Sequence, residues 1–272
     1  MDNIILNVNS CFADLSKYTT ANFVYPLEQE IKNIIYIKMG SIEFPTSNYN
    51  FLSSKGNTSF KIGDGTIEDT VTIPDGNYES DTIILKIEEL LDEINTTRSQ
   101  SYELSIDIFT GEMKFSNTED FTLDFTNNTC YGSLGMHLGF KENNYTGTSI
   151  LGETVINLNG PNYYFIKINN FNNVQDHYVK NSFAKIIKTK EGFDTIIEGK
   201  HDYVSKDMVF RSPINLSKLE IQIVDYKDNI IDFNGIDLSL TLEIGYIYDK
   251  KLYQQINNNG IPNGDHRLKF YY

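Results

Sequence analysis

Four histidines and two cysteines carry the most versatile chemistry in this sequence, and their spacing brings none of them together. His137, His177, His201 and His266 are scattered, with no His or Cys three or four residues from any of them. A transition-metal site would have to be assembled from distant segments, so these are read as surface or packing histidines. Cys130 lies seven residues before His137. A cysteine nucleophile needs a hydrogen-bonded base and an orienting third group, and the local pattern matches no cysteine-enzyme signature. Asp225, Asp228, Asp232 and Asp237 form an acidic cluster among turn residues, where carboxylates and Asn carbonyls can hold a hard cation. The Asp-x-Asp-x-Asp-Gly spacing of a calcium loop is missing, so a solvated turn is expected there. Gly63-Asp64-Gly65 has neither the strand-to-helix setting nor the Lys of a phosphate loop, and reads as a turn. No catalytic, cofactor-binding or metal-ligating residue is assigned on these grounds. The expectation is a protein that is not an enzyme and takes no cofactor.

Composition narrows the class. At 272 residues the chain can form one large all-β domain or two modest ones, with a sizeable core and no need of staples. Eighteen Tyr and 17 Phe against no Trp suit pleated, half-buried surfaces and large subunit contacts. A formal net charge of -14 repels phosphate backbones, which argues against nucleic-acid binding over a broad surface. The opening MDNIILNVNS lacks the pattern of a secretory signal, and no apolar run approaches the roughly 20 residues that span a bilayer. With only Cys11 and Cys130 in a reducing compartment, no disulfide framework is expected. The N-x-S/T sequons at Asn57, Asn95, Asn127, Asn144 and Asn215 are then chance matches in a chain rich in Asn and Thr.

The elements that must position any site follow from periodicity. In LEIQIV, Leu219, Ile221 and Ile223 alternate with polar residues; in LSLTLEI, Leu238, Leu240, Leu242 and Ile244 do the same. Strict period two predicts antiparallel strands with one buried face, joined by turns at Lys227-Asp228-Asn229 and Asn234-Gly235. This pair is the expected framework of the core. Further strands are predicted at Ile4 to Val8, Phe23 to Leu27, Ile34 to Phe44, Phe60 to Ile62, Thr154 to Leu158, Tyr163 to Asn169, Phe183 to Lys188, Thr195 to Glu198 and Met208 to Phe210. Pro26 marks a sheet edge or strand end, and Gly40 a bulge or bend. KENNYTGTS is expected to be a polar loop, and HRLKFYY an edge strand or a segment packed on a neighbour.

Between residues 66 and 140 the character changes. A short strand VTIP and a PDGN turn lead to a helix capped by Ser80 or Asp81, with Ile84, Ile87, Leu91 and Ile94 on one face and an end at Asn95-Thr96-Thr97. A hairpin turning at Thr110-Gly111 and a short helix ending at Gly139 complete it. The predicted organisation is a mainly β chain: an antiparallel β-sandwich of jelly-roll type from residues 1–65 and 141–272, with a small inserted α+β unit at 66–140.

Several of these segments, in order, resemble a known group. They are IEFPTSNYNF with NTSF shortly after, TIPDGNY leading into a helix, FTGEMKFS, LGF at Leu138 to Phe140, and SPINLSKLEIQIVDYKDNIIDFNGIDLSLTLEI. Over about Ile42 to Ile247 the order resembles the penton and minor capsid proteins of nucleocytoplasmic large DNA viruses and the related polinton and virophage group. The resemblance implies a single jelly roll that assembles as a homopentamer at each vertex of an icosahedral shell otherwise tiled by double-jelly-roll capsomers. It implies a virion protein made in the host cytoplasm, with itself, the major capsid protein and minor capsid or fibre proteins as partners. The insertion would face outward to a fibre or host surface, or inward to internal proteins. Other readings are a minor capsid or cement protein, or a virion-surface receptor- or glycan-binding module using Tyr163-Tyr164 or Tyr271-Tyr272 as aromatic platforms.

Overall fold

The computed structural model of the chain describes residues 2–13, 19–126, 132–189, 194–198 and 207–248. In chain order the elements are β1 (Asp2–Asn9), β2 (Asn22–Pro45), β3 (Ser59–Gly63), β4 (Glu68–Thr72), α1 (Ser80–Arg98), β5 (Glu103–Ile106) and β6 (Glu112–Asp124). There follow α2 (Leu134–Leu138), β7 (Asn144–Val155), β8 (Tyr163–Ile168), β9 (Ala184–Ile187), β10 (Thr195–Glu198), β11 (Met208–Val224) and β12 (Ser239–Tyr246). They make two compact units, one from Met1–Asn48 with Pro161–Tyr272 and the other from Tyr49–Gly160.

In the first unit a seven-stranded antiparallel sheet runs β1-β12-β2-β11-β8-β9, with β10 also pairing β2. Its hub is β2, 24 residues long, which pairs β11 along its first part, β12 along its second and β10 at its end. Apolar residues of β2 change phase along the strand: Ile37 and Met39 are buried at odd positions, Ile42 and Phe44 at even ones. A regular strand would turn one pair to water. The register resolves the conflict, because Met39 faces Leu242 and Ser41 faces Thr241, leaving Gly40 as the extra residue of a β-bulge. A second irregularity at Ile35, between the Tyr36 and Ile34 pairings, lets Ile34 and Ile37 both point inward.

The result is one main core, beside a small second cluster of Phe165, Val179 and Val224. Val8, Ile37, Phe44, Ile166, Ile186, Ile196, Ile221 and Leu242, drawn from every strand of this sheet, join one buried cluster. One sheet whose strands all line one core must curl over on itself, and the unit is an antiparallel sandwich of jelly-roll type. Phe44 sits in it edge-on to Tyr164 at 5.7 Å and tilted against Phe233 at 6.0 Å.

Two expectations change here and a third is narrowed. The framework strands β11 and β12 are both core strands, but they do not pair with each other; β2 lies between them. Both intervening turns form, with Asp228 at φ 70°, Asn234 at 53° and Gly235 at 77°. The apolar run between those turns returns to β11 through Ile231, whose N–H donates to Ile223 O at 3.0 Å, before the chain crosses to the far side of β2. Of the two places expected for Pro26, the structure shows the sheet edge and not the strand end, since the residue lies within a continuous strand. Around it β2 has a described ladder on β11 alone, and the register skips from Leu216–Ile31 to Lys218–Pro26, so the missing N–H falls beside a bulge on a one-sided stretch. Met208–Val224 is one strand where two were expected.

The second unit is a five-stranded sheet of order β4-β3-β6-β5, with β7 also on β6, and α1 packed on it. Its boundaries are wider than 66–140, because β3 lies between β4 and β6 and β7 pairs along β6. The polar stretch expected as a loop is one only over 141–143, and from Asn144 it is the start of β7: Ile150 faces the core while its neighbours Ser149 and Leu151 face water, and a strand with one wet, polar face is easily mistaken for a loop. That strand ends at Val155, so Thr154 to Leu158 is not a strand of its own. In α1, Ile83, Ile87 and Leu91 are fully buried, while Ile84 and Ile94 are partly so. Glu79, not Ser80 or Asp81, is the N-cap, and its N–H donates to Thr82 Oγ1 at 2.9 Å. The helix continues through Asn95-Thr96-Thr97 to Arg98, whose guanidinium pairs with Asp69 at 2.9 and 3.0 Å near the negative end of the helix dipole. The hairpin turn at Gly111 and the α2 C-cap at Gly139, φ 70° and 97°, form as the sequence predicts.

Three outcomes are expected. Deleting Gly40 would throw Ile42 and Phe44 outward and should abolish cooperative unfolding, whereas Gly40→Ala, whose Cβ would lie 3.4 Å from Thr241 O, should melt close to wild type. Within the same core, Leu240→Ala should cost about 2–5 kcal/mol in denaturant melts and Thr241→Ala much less; equal losses would contradict a one-sided strand. Replacing 49–160 by a Gly/Ser linker should leave a folded first unit, while replacing only 66–140 strands β3 and β7 without β6 and should give a molten product.

Candidate assembly surface

The residues with latent chemistry are held apart. His137 Nδ1 lies 3.1 Å from Asn157 O and its ring stands edge-on to Phe51 at 5.1 Å, a packing role. His177 is exposed beside Tyr178. Cys11 is exposed on a short 3-10 turn. His201, His266, Cys130, the sequon at Asn127, Tyr271-Tyr272 and the HRLKFYY segment lie outside the described residues. Each carboxylate of the acidic cluster serves its own neighbourhood. Buried Asp225 accepts from the N–H groups of Lys227 and Asn229, Asp228 pairs with Lys167, Asp232 accepts from Asn234 N–H, and Asp237 accepts from Ser10 Oγ at 2.7 Å. Among the described residues no three His, Cys, Asp or Glu side chains gather to hold a metal ion.

Other surface assignments also shift. Tyr164 is fully buried, its hydroxyl donating to Asn48 Oδ1 at 2.9 Å, so Tyr163-Tyr164 is not an exposed platform. Tyr163 alone is partly open, with Lys185 Nζ 3.8 Å above its ring. Asn57 is buried and bonded through both amide atoms, to Asn50 O and Leu52 N–H, which closes that sequon to modification in the folded unit. No described helix is long and apolar enough to cross a membrane.

What the register does assemble is a continuous outer face on the first unit. Cross-strand partners share a side of the sheet. Ile5 faces Glu243, which faces Lys38; Asn3 faces Gly245, which faces Tyr36, which faces Val209; and Glu43 faces both Ser239 and Ile197. At the centre the Glu243 carboxylate accepts from Tyr36 Oη at 2.8 Å, Lys38 Nζ at 3.0 Å and Asn3 Nδ2 at 3.2 Å. Gly245 makes this possible: a Cβ there would lie 2.0 Å from Tyr36 Cε1, so the phenol ring rests across the glycine. At the margins Ile5, Ile197 and Val209 are 64%, 71% and 56% exposed. Periodicity had placed Glu243 and Thr241 opposite the core, but only the pairing of β1, β12 and β2 joins them to Tyr36, Lys38 and Asn3. The alternation of Tyr36 and Lys38 with Ile37 and Met39 was the available signal.

The cluster tunes its own charges. Burial works against the Glu243 carboxylate, yet hydrogen bonds from Lys38, Tyr36 and Asn3 hold it below the usual carboxylate range. Burial first, and then the Glu243 carboxylate, push the Tyr36 phenol up to about 12.

The fold so defined is a mainly antiparallel β-sandwich of jelly-roll type, with its outer sheet face organised around Glu243. Compared with known proteins, the chain matches no family model and no curated protein. Among solved structures it is similar to the crystal structure of the selenomethionine-labelled mavirus penton protein, with a TM-score of 0.47 and 10% sequence identity, over 91% of this chain and 100% of that one.

The pH dependence of the central cluster is testable. A depressed Glu243 contributes stability above its unfolded pKa of about 4.3 and loses it as pH falls through the lower folded value. A raised Tyr36 contributes below about pH 10 and loses it as pH rises toward 12. Urea melts should therefore fall less steeply with acid for Glu243→Gln than for wild type. Parallel acid limbs would mean the hydrogen bonds to Glu243 are not coupled to folding.

Proposed function

We propose that this chain is a structural capsid protein rather than an enzyme, and that it is the penton: a homopentamer closing the five-fold vertices of an icosahedral shell in the virion, after synthesis in the host cytoplasm. Its partners are then copies of itself, the capsomers of the major capsid protein, and minor capsid or fibre proteins. The observation that carries this reading is the outer sheet face, where exposed Ile5, Ile197 and Val209 flank a tightly bonded polar centre. Such a patch suits the interface between subunits, with an apolar margin to desolvate and a rigid polar centre to fix register. The ordered segments that resemble penton and minor capsid proteins support the same reading, and the last of them, SPINLSKLEIQIVDYKDNIIDFNGIDLSLTLEI, supplies most of β11 and β12 in the jelly-roll-type sandwich.

A closed ring needs a heterologous interface, so each copy must offer two different complementary surfaces, and the outer face supplies one of them. Light scattering on purified protein should give the mass of a pentamer. Ile5→Ser with Ile197→Ser should dissociate it toward monomer while leaving the melting temperature of the subunit unchanged, because neither side chain belongs to the core. A stable trimer would favour a spike module, and a monomer at all concentrations would overturn the penton assignment.

A further inference from the structure

The net negative charge of this chain is concentrated in one unit. Tyr49–Gly160 holds 18 Asp and Glu against 6 Lys and Arg, a formal charge of -12, while the rest of the chain holds 19 against 17, or -2. At one end of the acidic unit the β5–β6 hairpin turns through Asp107-Ile108-Phe109-Thr110-Gly111. Ile108 is 85% and Phe109 92% exposed, the two most exposed large apolar side chains among the described residues.

These side chains are held out by a rigid turn. Asp107 Oδ1 accepts from the N–H groups of Phe109 at 2.8 Å and Thr110 at 3.1 Å. Gly111 N–H donates to Asp107 O at 2.7 Å, and Asp107 N–H donates to Glu112 O at 3.0 Å. Gly111 takes the left-handed conformation, and its carbonyl accepts from Ile156 N–H at 2.9 Å, which ties the tip to the end of β7 beside exposed Val155. Turn positions normally carry polar residues. Here a preorganised turn fixes an isoleucine and a phenylalanine in water, with Asp107 and Glu112 beside them, so ordering them on binding would cost little.

We propose that this tip is a docking knob for a different protein, whose surface offers an apolar pocket for Phe109 and Ile108 inside a rim of Lys or Arg. Charge selects the occupant. A second copy would bring another unit of -12 against the first, and an anionic lipid leaflet or a nucleic acid would be repelled in the same way. A basic-rimmed protein surface gains from both the acid and the apolar tip. The knob acts whatever the oligomeric state of the chain, and so goes beyond the capsid reading.

The test uses the full-length chain and an immobilised synthetic peptide built of Leu and Lys as an amphipathic helix, with Glu-for-Lys and Ser-for-Leu versions as controls. Wild type should bind the Leu/Lys peptide in a salt-sensitive manner and bind both controls weakly. The Ile108→Ser, Phe109→Ser double variant should bind it at least about tenfold more weakly with an unchanged melting temperature. Asp107→Ala, which loosens the turn but keeps both apolar side chains, should fall between the two. Equal binding by wild type and the double variant, or equal binding of the Leu/Lys and Ser/Lys peptides, would overturn the proposal. Flotation of wild type, but not of the double variant, with phosphatidylcholine vesicles would overturn it in favour of a lipid-inserting tip.

Discussion

The first unit depends on keeping one face of β2 apolar along its whole length. That strand has to present Ile34, Ile37, Met39, Ile42 and Phe44 to a single core while pairing with β11, β12 and β10 in turn. A side-chain period of two cannot do this without extra residues, and the strand uses Gly40 and Ile35 to reset its phase. Bulges also raise local twist, which helps one sheet close over its own core. Because β12 and β11 flank β2, the phase of β2 fixes which face of each of them is dry.

The same phase places the surface. Once Ile37 and Met39 point inward, Tyr36 and Lys38 must point outward, opposite Gly245 and Glu243. A glycine under the phenol ring and a carboxylate accepting three hydrogen bonds then rigidify the middle of that outer face. Core and candidate interface are therefore two readings of one register.

The two units answer different physical demands. The first carries a formal charge of only -2, so its surface charge does not oppose close approach of like surfaces. The second has its own core, in which Phe60, Phe115, Phe125 and Phe140 meet at ring separations of 5.2 to 5.7 Å, and it carries most of the negative charge of the chain. Surfaces of that charge resist self-association.

How much was visible beforehand depended on the range of the interactions involved. The alternation in LSLTLEI, the bulge at Gly40, the turns at Asn234-Gly235 and Gly111, and the helix from Ser80 are set by side-chain period and local dihedral preference, and the sequence by itself determined them. Pairing is different, because any strand with one apolar face can lie beside any other. The insertion of β2 between β11 and β12, the assignment of β3 and β7 to the second sheet, and the burial of Tyr164 were decided only when distant segments met. The candidate surface divides in the same way. That Glu243 faces away from the core follows from period two, but its three hydrogen bonds come from residues at least 200 positions away in the chain. No local pattern encodes such contacts, since their free energy exists only in the assembled sheet.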